Sequence, residues 1–217
     1  MAYSDFTLES VIRSFSLQLD DRTDLFKILA PLDQGPSLRE ILADNVPLAT
    51  AIHTEKARSE LIVVPILLEA WKRTGRRVSL FSGIAFDVDL EKGLNGVCDF
   101  LVSRSPNQFI LGPPVLVLVE AKNDSIRGGL GQCVAEMVAA QIFNTRQQAD
   151  PSLIKPITIH GAVTTGSLWR FLRLWGDQLQ IDIAEYTLDN VGEILAILTD
   201  CLTTTDASTR PAIAGDP

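Results

Sequence analysis

The chain is poor in the residues that build metal cages and covalent frameworks. It has three cysteines, Cys98, Cys133 and Cys201, and two histidines, His53 and His160. No two cysteines form a CxxC pair, and the histidines lack metal spacing with each other. A zinc site or a disulfide framework is therefore not expected; buried thiols and structural imidazoles are. Basic charge is also short, with 19 Lys and Arg against 27 Asp and Glu, a net charge of −8 and a pI near 4.8. That balance argues against a general nucleic-acid coat, though not against a local basic groove. Long apolar runs are missing: LIVVPILL (61–68) and VLVLV (115–119) are far too short to span a bilayer. The opening MAYSDFTLES lacks the basic-then-apolar pattern of a secretory signal, and no internal repeat is present. These absences lead to the expectation of a soluble, cytoplasmic protein with no membrane partner.

What is there suits one globular domain: 217 residues, 46% hydrophobic and 21% charged. Residues 7–30 carry Leu8, Val11, Ile12, Phe15 and Leu19 at helical spacing, with a second apolar stretch over 25–29, and predict one or two short helices. SLREILADN predicts another, opened by Ser37 with Glu40 three residues on as a capping box. Residues 54–73 predict a longer helix with Thr54 as N-cap and Glu60, Val64, Leu67 and Trp71 on one face. Pro65 inside it predicts a kink or a break. Strands follow over 78–90, 96–104 and 115–122, then a helix over 128–148 and a fourth strand within 154–166. Residues 167–188 predict a further strand pair, and 190–202 a closing helix. The fold class is α/β or α+β with a mixed central sheet flanked by helices. Residues 1–53 read as a helical N-terminal extension, 54–203 as the core with its C-terminal helix, and 204–217 as a polar tail expected to be disordered.

The chemistry concentrates in VLVLVEAKND (115–124). Residues two apart on a strand share a face, so Glu120 and Lys122 should emerge side by side, with the Ala121 carbonyl between them. Either charge buried alone is costly. Asp99 interrupts the otherwise apolar GVCDFLV; if its strand neighbours 115–122, Asp99 and Glu120 come together. Two carboxylates and a carbonyl suit a hard cation such as Mg²⁺, and Lys122 could hold a water or a phosphate. Glu60 lies on the apolar face of the preceding helix. Gln132 and Glu136 lie in the early turns of the following one.

This set resembles the PD-(D/E)XK nuclease superfamily, the restriction endonuclease-like fold whose core runs helix, three strands, helix, strand. Asp99 stands at the motif aspartate, and Glu120, Ala121 and Lys122 match (D/E)xK. Glu60, within SELIVVPILLEAW, resembles the helical glutamate of many members, and Gln132 the glutamine of a QxxxY motif. Glu136 occupies the tyrosine position of that motif, and Cys98 precedes Asp99 where proline is usual. The resemblance covers roughly residues 54–166. The whole chain is also similar to a cyanobacterial family with no assigned function. The resemblance implies hydrolysis of nucleic-acid phosphodiesters, DNA ahead of RNA, with Mg²⁺ or Mn²⁺ on Asp99, Glu120 and the Ala121 carbonyl. It implies Lys122, Glu60 and Gln132 as further site residues and, by analogy of fold, a homodimer.

Blander readings stand beside these. Glu120 and Lys122 could be a solvated strand end, Glu60 could pair with Lys56 at helical spacing, and Gln132 could cover a solvated helix face. Trp169, Phe171 and Trp175 with Arg170 and Arg173 could stack on bases or simply pack. Thr164, Thr165 and Gly166 could bind phosphate or form a turn, and RTGRR (73–77) could be only a solvated helix end. At the level of function, two alternatives remain: a nuclease-fold protein without catalysis, serving as a binding or assembly subunit, and an enzyme for small phosphate esters.

Overall fold

The structure, a computed structural model, describes residues 1–146 and 157–203. The expected tail at 204–217, the last two residues of the helix expected over 128–148 and the start of the strand within 154–166 lie outside those residues. The described elements are α1 (Leu8–Phe15), β1 (Gln18–Asp20), α2 (Gly35–Ile52), α3 (Glu55–Arg58), α4 (Val64–Arg73), β2 (Ser79–Ala85), β3 (Val97–Ser103), β4 (Val115–Ala121), α5 (Ile126–Arg146), β5 (Ile159–Thr164), β6 (Leu168–Trp175), β7 (Gln178–Ile181), β8 (Tyr186–Thr187) and α6 (Val191–Thr203). They form a mixed α/β fold around one open sheet ordered β1-β7-β6-β5-β4-β3-β2, with β8 beside β6. The β2–β3–β4 meander is antiparallel. β4 and β5 are parallel, as their connection through a long helix requires.

Alternation along the central strands, broken locally in β3 and β4, divides the core in two. Val102, Val119, Ala162 and Phe171 face α2, α4 and α6. Leu101, Leu118, Val163 and Leu172 face α5 and the N-terminal segment 3–15. α5 is covered on both sides, by the sheet and by that segment, so Cys133 to Ala140 are all buried. At Gly131 the close approach explains the missing side chain: a Cβ there would stand 2.2 Å from the Phe6 carbonyl oxygen. Among the described residues no helix is long and apolar enough to cross a membrane.

Several expected elements differ. Residues 1–53 are helical in α1 and α2 but also supply a strand. β1 adds a strand parallel to β7, and α1 packs on α5. The stretch 25–29 is not helical; Leu25, Phe26 and Leu29 pack as loop residues on the first core, because burial fixed their place without helical hydrogen bonds. The helix expected at SLREILADN starts earlier, at Gly35 with Pro36 in its first turn, and runs to Ile52, so Ser37 does not cap it. Thr54 does cap the next helix, its hydroxyl accepting from Ala57 N at 3.2 Å. The kink expected at Pro65 takes the form of a π turn over Ser59–Val63. Proline has no N–H for the Leu61 carbonyl four residues back. Asn45 Nδ2 of α2 donates to that carbonyl instead, at 2.8 Å.

Candidate active site

The apolar run of β4 makes a strand buried on both faces, and Glu120 follows Leu118 toward α5. Its carboxylate is only 1% exposed. Lys122, the next residue of that parity, is held at the backbone by its N–H donating to Thr164 O at 2.8 Å. Its ammonium donates to Glu120 Oε1 at 2.5 Å and to Gln132 Oε1 at 3.2 Å. Gln132 Nε2 in turn donates to Glu136 Oε1 at 3.1 Å. One network thus runs from the end of β4 into α5. The short connection between these elements, closed by Ser125 Oγ accepting from Gly128 N at 3.3 Å, sets Gln132 over Lys122.

Asp99 joins from β3. The register pairs Phe100 with Val119, so Asp99 and Glu120 are the next pair along. The ladder stops there, and Asp99 Oδ2 accepts from Ala121 N at 2.8 Å. Cys98 and Leu101, three residues apart, both enter the α5 core, so alternation breaks at Asp99. Opposite the break lies Gly83 at φ 62°, a conformation that glycine adopts without steric cost. Asp99 accordingly lines an open pocket of about 240 Å³ together with Glu55, Lys56, Ser59, Glu60 and Ala121.

The electrostatics follow from burial. Desolvation, then the nearby Asp99 charge, push the Glu120 carboxyl up to about 7, against the pull of Lys122. Desolvation also raises Asp99, offset in part by the Ala121 N–H. Burial alone would depress the Lys122 ammonium. Glu120, with Glu55 and Asp99, outweighs it, and the net displacement is upward. Glu136 is driven well above the ordinary range by burial and by Glu120.

No protein-family model, curated protein or solved structure matches the chain. Glu120 Oε2 is buried without a hydrogen-bond partner, beside a second carboxylate whose like charge opposes its ionisation. Orphaned anionic oxygen next to anionic oxygen suits a small hard cation, so Asp99 and Glu120 are the residues fit to hold one. Among the described residues no group of three or more His, Cys, Asp or Glu side chains forms a cage. A cation here would complete its shell from a backbone carbonyl, water or substrate oxygen.

Asp99, Glu120, Ala121, Lys122 and Gln132 are thus brought together. Glu60 stands apart from them: it lines the same pocket as Asp99, but its side chain is 59% exposed and it pairs with Lys56 at 2.7 Å. The π turn is the reason. Ala57 and Ile62, five residues apart, both face the core, which leaves Glu60 at the edge of the apolar stripe. Glu55 is the residue that sequence reasoning missed. It lines the pocket and its charge reaches both Glu120 and Lys122. The available signal was its place directly after the Thr54 cap, which sets it in the first turn facing the strand ends.

The other candidates take their plainer roles. Trp169 and Phe171 are core residues. Arg170 pairs with Glu185, and Arg173 Nε donates to Gln180 Oε1 at 2.8 Å. Thr164 Oγ1 accepts from Gly166 N at 2.8 Å, closing a turn. Arg73 pairs with Glu69 at 3.0 Å, and the Arg76 guanidinium lies over the Trp71 ring, 5.5 Å from its centre. His53 ends α2 in a left-handed conformation, and His160 is buried.

Proposed function

We propose that the chain is a metal-dependent phosphodiesterase of the PD-(D/E)XK type, with a restriction endonuclease-like core, acting on nucleic acid, DNA ahead of RNA. The observation that carries this reading is the buried Glu120, with one oxygen on Lys122 and the other idle next to Asp99. The order of a helix, an antiparallel three-stranded meander, a helix and a strand parallel to the third supports the fold. Asp99, Glu120 and the Ala121 carbonyl are the groups that would hold Mg²⁺ or Mn²⁺. Such an ion supplies charge that polarises a phosphoryl oxygen and lowers the pKa of a bound water. The ammonium of Lys122 has three hydrogens, of which Glu120 and Gln132 take two. The third is left for a substrate oxygen or the attacking water. Glu60 and Glu55, at the mouth of the pocket, would orient waters rather than bind the scissile phosphate.

A second reading, a non-catalytic assembly subunit of the same fold, draws on the loop after β3, where Phe109 is 98% and Ile110 67% exposed. Calorimetric titration of Mg²⁺ and Mn²⁺ into the wild type and Glu120→Gln, with and without duplex DNA, separates the two. The expected outcome is binding by the wild type with DNA, lost in the variant. Asp99→Ala and Lys122→Ala should each lower cleavage by roughly 100-fold or more while remaining folded. Cleavage retained in both variants would remove the proposed site, and no metal uptake even with DNA would leave the assembly subunit.

A further inference from the structure

We infer that Glu136 is a positioning residue, which fixes the orientation of the Gln132 amide so that its oxygen, not its NH₂ group, faces Lys122. The inference rests on the proposed hydrolytic site and assigns to it a group one step removed from the chemistry.

A glutamine amide has one accepting and one donating end, and a half-turn about its last bond exchanges them. Lys122 can only donate. Gln132 supports it only when its Oε1 points toward the ammonium, as it does at 3.2 Å. The other end then needs an acceptor, and Glu136 Oε1 provides one at 3.1 Å from Nε2. With the amide reversed, NH₂ would face an ammonium and that contact would fail, and oxygen would face the Glu136 carboxyl, which meets it only when its own proton is turned that way. Glu136 thereby makes the two orientations unequal, and it does so from a rigid place one helical turn along α5.

Packing does not account for this residue. Glu136 is 0% exposed inside α5 and its Oε2 has no hydrogen-bond partner. Its neighbours along the helix, Ala135, Met137, Val138 and Ala139, are buried and apolar. An apolar side chain there would avoid the desolvation that a half-satisfied carboxyl incurs. The neutral acid, which burial favours, still accepts through its carbonyl oxygen, so the observed contact survives the loss of charge.

The test uses the full chain labelled with ¹⁵N and follows the side-chain NH₂ resonances of Gln132, assigned by their loss in Gln132→Met. Glu136→Gln keeps an acceptor and should leave those resonances near their wild-type positions, with Mg²⁺-dependent cleavage largely retained. Glu136→Met removes the acceptor. It should displace the Gln132 resonances and lower kcat roughly 10- to 100-fold at unchanged KM, without lowering Tm. Lys122→Met, which leaves the Glu136 contact in place, should leave the Gln132 donor resonances little changed. Unmoved Gln132 resonances in Glu136→Met, or a displacement in Lys122→Met as large as that expected for Glu136→Met, would overturn the inference. Should Glu136→Met not fold, the Lys122→Met and Glu136→Gln spectra decide it. If the wild type cleaves nothing, the proposed function falls, and the amide resonances alone decide the role of Glu136.

Discussion

A carboxylate with 1% exposure must be either neutral or neutralised. Glu120 has partial answers of both kinds: a proton it keeps up to about 7, and one oxygen on Lys122. The folded protein holds that proton more tightly than the unfolded chain, whose carboxyl titrates near 4.5. Below about 4.5 both states are protonated and the stabilisation is fully present; as pH rises through 7 the folded state must bear a buried charge, and the stabilisation is lost. In metal-free buffer, urea denaturation between pH 4.5 and 8 should show stability falling over that window, by on the order of a few kcal/mol. Asp99 and Glu136, raised in the same direction, add to the fall. Glu120→Gln should flatten much of the curve; an unchanged slope would mean that Glu120 is not the group responsible. Metal affinity should run the other way and strengthen with rising pH through about 7, because a cation needs the ionised carboxylate.

Within the elements, the clearest device is the joint between α3 and α4. Pro65 removes one helical donor, the chain widens into a π turn, and Val64 N reaches back five residues to Ser59 O. The freed Leu61 carbonyl is met by Asn45 from a different helix. Asn45→Ala should therefore destabilise by about 1–2 kcal/mol in urea denaturation, the cost of leaving a partly buried carbonyl unpaired. In a Pro65→Ala background a backbone N–H is restored for that carbonyl, and the cost of losing Asn45 should fall by at least about half. Equal costs in both backgrounds would show that Asn45 acts through packing alone. The sequence made the disturbance at Pro65 legible, since the missing donor is local. It did not show the repair, which comes from 16 residues away along the chain.

For the whole molecule, the N-terminal twenty residues close two open surfaces at once. β1 extends the sheet beside β7, and residues 3–15 cover the outer side of α5. This cover completes the burial of α5 on the side away from the sheet. Gly131 permits it, since any Cβ there would collide with backbone at Phe6 and Thr7. Gly131→Ala should lift the segment off, costing roughly 1–3 kcal/mol. Amide exchange over Leu8–Phe15 should quicken well before that of the β4 and β5 amides. Protection of Leu8–Phe15 equal to wild type would show that the contact can adjust.

Local pattern alone determined a good part of this protein. The run VLVLVEAK made a doubly buried strand with two charges on one side of its end, because alternation is a property of the strand itself. Thr54 marked its helix start, and the order of elements from 54 onward followed from periodicity and turn residues. What the tertiary structure decided was which distant segments meet. The β3–β4 register, with the break opposite Gly83, sets Asp99 next to Glu120. The widened turn leaves Glu60 exposed on Lys56 rather than beside the carboxylates, and the docking of α5 on the sheet buries Glu136 beside Gln132. Periodicity reports which side of an element is apolar. Register and covering depend on the summed packing of segments far apart in sequence, and no short window contains that sum.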